Sequence, residues 1–279
     1  MGFIYWLAIS LALSVNAGNA SLSTQEQQAT AAAPASTQEP TGVKVWVGRY
    51  GEFEEFISSA KIVRTKDVGT GVTHPKHAYF EPGGLAEGAA VKPLPPKRQQ
   101  GYFESYKSEI AAYKVDRLLD MDMVPPTVER KVDGDMASVQ LWVENTRMLK
   151  EVDQKKEHAP NVLKWNRQVY RQRAFDALIG NIDENATNIL IDKDWTMVLI
   201  DHSRAFTNTT QIVFEKELTF IDRPFFDKMK ALTEADLQRE IGSLLEPGTL
   251  GPMLKRRDQI VQIFEKRAAE KGEAQVFLR

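Results

Sequence analysis

The chain changes character near Glu144–Asn145, and that change limits the folds open to it. Before this point short apolar segments alternate with turn residues. Ile62–Val68 reads as a strand, Gly69-Thr70-Gly71 as a tight turn and Val72–Phe80 as a second strand. A turn at Glu81–Gly84 leads to a short apolar strand around Ala89–Leu94 and a Pro-broken loop. Val128–Val132 and Ala137–Val143 flank Asp133-Gly134, a strong hairpin signal. Gly51–Ala60 and Glu104–Met121 carry helical spacing, the second through Ile110, Tyr113, Leu118 and Met121. After the change, Asn161–Ile179, Ala231–Leu245 and Gly251–Gly272 read as helices, with only Ile189–Ile191 and Met197–Ile200 as short strands. The pattern predicts an α+β fold of two lobes, a β-rich lobe over 42–145 and a mostly helical lobe over 146–279, with no internal repeat.

The chain has no cysteine, which removes disulfides, thiolate metal sites and a cysteine nucleophile together. A chain of 279 residues can instead be held by its core. His74, His77, His158 and His202 lack HxxxH-type spacing, so a His-built zinc site is disfavoured. Residues 1–40 contain no Lys or Arg and two acids, Glu26 and Glu39, leaving 36 basic and 36 acidic residues beyond them. A globular part with no net charge offers no general field for nucleic acid or an anionic bilayer. Ser203 and Ser243 lack a G-x-S-x-G context, so a serine hydrolase is not indicated.

Met1–Ala20 contains an apolar stretch, Phe3–Val15, of signal-peptide length, followed by Val15-Asn16-Ala17 and Gly18-Asn19-Ala20, both of small-x-Ala type. This predicts a cleaved or anchoring leader and an extracytoplasmic, secretory location, with membrane contact only through that segment if it is retained. A buried or partner-bound N-terminal helix is the other reading. Residues 21–41 are rich in Ser, Thr, Gln, Ala and Pro and read as a linker.

The chemistry concentrates in the second half. Asp183 stands five residues before Asn188, directly ahead of the apolar run Ile189–Ile191. Asp201 follows thirteen residues after Asn188, at the end of the next apolar run. Asp and Asn are common turn residues, where their side chains cap backbone groups. Taken together the set also matches what phosphoryl transfer needs: one carboxylate for the attacking hydroxyl, and an amide oxygen with a second carboxylate for a divalent cation on a triphosphate.

The segment Gly180–Phe206, GNIDENATNILIDKDWTMVLIDHSRAF, resembles the catalytic and metal-binding loops of atypical kinases. It is similar to phosphatidylinositol kinases, which use D-R-x-x-x-N then I-D-x-G, and to secretory-pathway kinases of the four-jointed type. Glu184 stands where the lipid kinases have Arg, and Ser203 where the turn has Gly. The resemblance covers nearly all of residues 51–205 and implies a two-lobed protein-kinase-like fold using ATP and Mg²⁺ or Mn²⁺. It implies Asp183 as the catalytic aspartate, with Asn188 and Asp201 as metal ligands. Gly69, Thr70 and Gly71 would cover the phosphates, and Lys92 would hold them, paired with Glu109 on the helix seventeen residues later. Glu144 would lie at the hinge beneath the adenine. Without the resemblance, Lys92 and Glu109 read as solvated surface residues, Phe220–Phe226 as packing, and Trp165 and Trp195 as core. The acceptor stays open among a protein hydroxyl, a sugar and an inositol lipid. A pseudokinase, and a secreted scaffold in which Asp183, Asn188 and Asp201 only make turns, are the rival readings.

Overall fold

The computed structural model describes residues 42–69, 75–99 and 102–278; Thr70, Gly71 and the leader and linker expected over 1–41 lie outside them. The first half is built on an antiparallel sheet. Its strands are β1 (Ile62–Asp67), β2 (Lys76–Phe80), β3 (Gly88–Lys92), β6 (Thr127–Val132) and β7 (Asp135–Leu141), in the order β1-β2-β3-β7-β6. Asp133 and Gly134 both take positive φ between β6 and β7, +54° and +99°. That is the backbone a tight hairpin of right-twisted strands requires. The sequence reading passed over β4 (Lys97–Gln99) and β5 (Tyr102–Glu104), which form a separate small hairpin in the Pro-broken region.

Period-two alternation sorts the sheet into two faces. Ala78, Phe80, Ala89, Val91, Val139 and Leu141 form one core with Trp46 and with Phe53 and Ile57 of α1 (Tyr50–Ser59). The alternate positions, among them His77, Lys92, Ser138 and Gln140, belong to the other face. The helix α2 (Tyr106–Leu118) carries Glu109 to Lys92. It begins where the Ser105 hydroxyl accepts the Lys107 N–H at 3.0 Å.

The second half holds α3 (Leu149–Gln154), α4 (Val162–Ile179), α5 (Arg223–Ala231), α6 (Glu234–Ile241) and α7 (Leu250–Lys271). A small antiparallel sheet joins β10 (Met197–Leu199), β9 (Ile189–Ile191) and β8 (Arg147–Met148) in that order. The helix expected over Ala231–Leu245 is broken, because the Thr233–Asp236 capping box starts a new helix immediately after α5 ends. Phe225 and Phe226 of α5 are buried, while Phe220 stays partly exposed. Trp165 and Trp195 meet edge to face at 5.4 Å against the core.

α4 ends at Gly180, in left-handed conformation at φ +64°. A Cβ there would lie 2.7 Å from Thr207 Oγ1 and 2.8 Å from Arg256 Cζ. Arg256 of α7 is fully buried and donates through Nε to Leu178 O and through Nη1 to Thr207 O, each at 3.0 Å. The last strand, β12 (Phe277–Leu278), runs parallel to β11 (Ile221–Asp222).

Candidate active site

Three elements bring their charges to one point. Lys92 ends β3, Glu109 lies on the first turn of α2, and Asp201 follows β10. The Lys92 ammonium stands 2.6 Å from Glu109 Oε1 and 2.8 Å from Asp201 Oδ1, and Lys92 and Glu109 are both buried. Burial alone would lower the lysine, but Asp201 and then Glu109 reverse this and hold it above its ordinary range. Burial would likewise raise Asp201, and Lys92 and the Ser203 hydroxyl bring it below the usual carboxylate range instead. Burial pushes Glu109 up, opposed by Lys92. A salt bridge this far from water is stable only when its remaining lone pairs are used. Glu109 Oε2 accordingly accepts the backbone N–H of His202 at 2.8 Å.

Asp201 takes φ +63°, a left-handed conformation that Asp tolerates better than most residues. That turn sends the next side chain inward. His202 is completely buried against Phe175 (ring centroids 5.8 Å apart), with no hydrogen-bond partner on either ring nitrogen. Burial, helped by Lys92, pushes its imidazole down to about 3, so it is neutral.

The loop from Asp183 to Asn188 is fixed by its own side chains. The Asn188 amide nitrogen donates to Asp183 O at 3.0 Å, and Asn185 caps Thr187 through a backbone bond of 2.9 Å. Asn188 O accepts the Ile200 N–H at 2.9 Å, which sets this loop beside the residue preceding Asp201. The Asp183 side chain remains 43% exposed, accessible to an incoming group.

Two residues join this cluster that the sequence reading gave no role, although Glu184 was noted there as a departure from the lipid-kinase pattern. Arg204 donates from Nη1 to Asp183 Oδ2 at 2.9 Å and from Nε to the buried Glu104 at 2.6 Å. No local pattern announces the link, since Glu104 lies one hundred residues away in the chain. Glu184 is the second. Both its carboxylate oxygens are buried without a hydrogen-bond partner. Burial, with Asp176 and then Asp201 and Asp183 adding to it, outweighs the nearby Asn185 backbone N–H, which lies outside good hydrogen-bond geometry, and pushes this carboxyl up to about 9.

The remaining candidates lie elsewhere. Gly69, at φ +75°, follows β1, and Thr70 and Gly71 lie outside the described residues. Glu144 is exposed and borders a cavity of about 560 Å³, with Trp46, Glu87, Trp142 and Asp192 among its walls. Lys92, Glu109, Asp183, Asn188 and Asp201 do not line it. The sheet face that carries Lys92 also bears a stack. His77 lies between Tyr79 and Trp142 at centroid distances of 4.0 Å and 3.8 Å.

The donor set can accept a divalent cation only in part. Because the Asn188 amide nitrogen is spent on Asp183 O, its oxygen is the group left for a ligand. Asp201 adds a carboxylate. Among the described residues no group of three or more Asp, Glu or His could hold a metal by itself. This suits Mg²⁺ or Mn²⁺, which take one or two protein oxygens and complete their shell with phosphate and water.

No protein-family model matches the sequence, and no curated protein matches it. Solved structures do match. The Golgi casein kinase with Mn/ADP bound aligns at a TM-score of 0.61 and 15% identity, over 83% of this chain and 79% of that one. A second structure of the Golgi casein kinase aligns at 0.59 and 15%, over 82% and 78%. Hydra Fam20 with sugar aligns at 0.59 and 15%, over 80% and 90%. The chain has a kinase-like fold. Within that kinase-like fold, the β-rich and helical lobes are those anticipated from the change of character along the sequence.

Proposed function

We propose that this chain is an ATP- and divalent-metal-dependent phosphotransferase acting on a hydroxyl acceptor. The observation that carries the reading is the buried Lys92, paired at once with Glu109 and Asp201. A lysine fixed between a helix carboxylate and a metal-type aspartate is the arrangement that orients a triphosphate in kinases. The neighbour with Mn/ADP bound and the neighbour with sugar support nucleotide, metal and a hydroxyl-bearing substrate for this chain as well.

In this reading Asp183 positions the acceptor hydroxyl and takes its proton. Arg204 keeps the Asp183 carboxylate oriented. Lys92 binds the nucleotide phosphates, with Gly69, Thr70 and Gly71 over them and Glu144 at the hinge. Asn188 and Asp201 would hold Mg²⁺ or Mn²⁺, which neutralises phosphate charge when bound. The lobe boundary lies at 145/146, and the leader over 1–20 with its linker over 21–41 places the domain in a secretory or extracytoplasmic compartment. Among the described residues no helix is long and apolar enough to cross a membrane.

The test uses the full chain. Asp183→Ala should keep Mn²⁺–ATP binding by calorimetry while losing about 10²–10⁴-fold in phosphoryl transfer. Asp201→Asn, which tolerates the left-handed backbone, should weaken metal-nucleotide binding too. A wild-type protein that binds Mn²⁺–ATP but matches Asp183→Ala in turnover is a pseudokinase. One that binds no nucleotide leaves only the scaffold reading.

A further inference from the structure

A second cavity has a volume of about 410 Å³. Its cationic walls are Lys44, Lys164, Arg167 and Arg171, over a floor that includes Met121 and Met123. None of the kinase-site residues lines it. Lys164, Arg167 and Arg171 stand at i, i+3 and i+7 on α4, a spacing that puts them on one helix face. Lys44 reaches the same space from the segment ahead of α1.

The ion pairs of the cluster centre on one carboxylate. Arg167 and Arg171 share one carboxylate, the buried Asp222, at 3.3 Å and 2.6 Å. Lys164 donates to a carbonyl, Asp194 O, at 3.0 Å. Asp116, Asp122 and Asp192 act on the Lys44 ammonium without forming an ion pair with it among the described residues. Arg171 Nε is buried without a hydrogen-bond partner. Buried polar groups in folded proteins are nearly always paired, so an orphaned guanidinium donor beside a cationic cavity marks a place for an acceptor. Burial, helped by Arg171, pushes Lys44 down to about 8 although Asp116, Asp122 and Asp192 oppose it, and a bound anion would oppose it further.

We propose that this cavity binds a small polyphosphorylated anion, at a site distinct from the candidate nucleotide cleft. The spacing selects against a single phosphate. Positions 164 and 171 lie about 10 Å apart along α4 at 1.5 Å per residue, more than one phosphate centre spans. Arginine and lysine together suit phosphate oxygens, the guanidinium through its fork and the ammonium as a point charge.

Calorimetric titration of the full chain with tripolyphosphate, without divalent metal and at physiological ionic strength, tests this. Wild type should bind tripolyphosphate at least tenfold more tightly than orthophosphate, and excess metal-free ADP should not displace it. Lys164→Gln, at an exposed position, should weaken binding roughly tenfold and leave Mn²⁺–ADP binding unchanged. Lys44→Gln should weaken it similarly, whereas Lys61→Gln, on the remote β1 side, should not. Arg167 and Arg171 are left intact because removing either strands the buried Asp222. Absence of binding by wild type, displacement by metal-free ADP, or equal losses in Lys61→Gln would each overturn the proposal.

Discussion

Glu109 holds the Lys92 ammonium on one oxygen, at 2.6 Å, and the backbone N–H of His202 on the other, at 2.8 Å. One carboxylate therefore ties β3, α2 and the Asp201 turn together. Removing one partner of a buried pair leaves the other charge uncompensated, at a cost of about 3–5 kcal/mol. Glu109→Ala should lose that much stability in urea unfolding, and Glu109→Gln less, because an amide oxygen still accepts the His202 N–H. A loss below about 1 kcal/mol for the alanine variant would mean that the pair is solvated.

Arg204 reaches Asp183 and Glu104 at once with its planar fork, at 2.9 Å and 2.6 Å. A lysine carries one ammonium and cannot reproduce that double contact. If Asp183 acts as proposed, Arg204→Lys should lower kcat about tenfold or more while the nucleotide Kd stays put, since small displacements of a positioned group cost up to roughly 10²-fold. Parallel losses in Kd and kcat would instead place Arg204 on the nucleotide.

Glu184 predicts a pH signature. Its carboxyl rises from 4.5 to about 9 in the folded chain, so the native state binds a proton the unfolded state has already released near neutrality. Stability from this group is full below about 4.5 and is lost as pH rises toward about 9. Glu184→Gln should therefore raise the Tm of the metal-free protein by a few degrees at pH 8, more than at pH 5. An equal or lower Tm at pH 8 would show that Glu184 has a partner in solution.

Gly88 lies under the His77–Trp142 stack. A Cβ added there would sit 2.4 Å from Ala78 O and 2.6 Å from His77 Nε2. The carbonyl belongs to the paired strand and cannot swing away, so Gly88→Ala should cost about 1–3 kcal/mol through overpacking. It should also change tryptophan fluorescence as the ring of Trp142 is displaced. An unchanged spectrum with unchanged stability would contradict the packing described.

What the sequence made legible was local. The Asp183–Asn188 spacing, the two apolar runs and Asp201 sit within nineteen residues, and each run became a strand with the intervening turn at Asp192–Trp195. The Asp133-Gly134 hairpin was equally readable, because turn chemistry acts over a few positions. Arg204 was not, since its meaning depends on Glu104, one hundred residues away. Nor were β4, β5, β8 and α3, none longer than six residues and so too brief to carry a period. The reading of Ala231–Leu245 as one helix failed because a capping box inside an apolar-periodic stretch stops one helix and starts another without disturbing the period.

The contact of Arg256 with Leu178, Thr207 and Thr209, and the pairing of Phe277 with Ile221, have a consequence for the order of events during synthesis. The end of α4 and the stretch beyond Asp201 receive their last hydrogen bonds from residues made some fifty to eighty positions later. Until those emerge, the helical half keeps open carbonyls and an uncovered apolar face. The helical half therefore closes only once α7 and β12 have joined it.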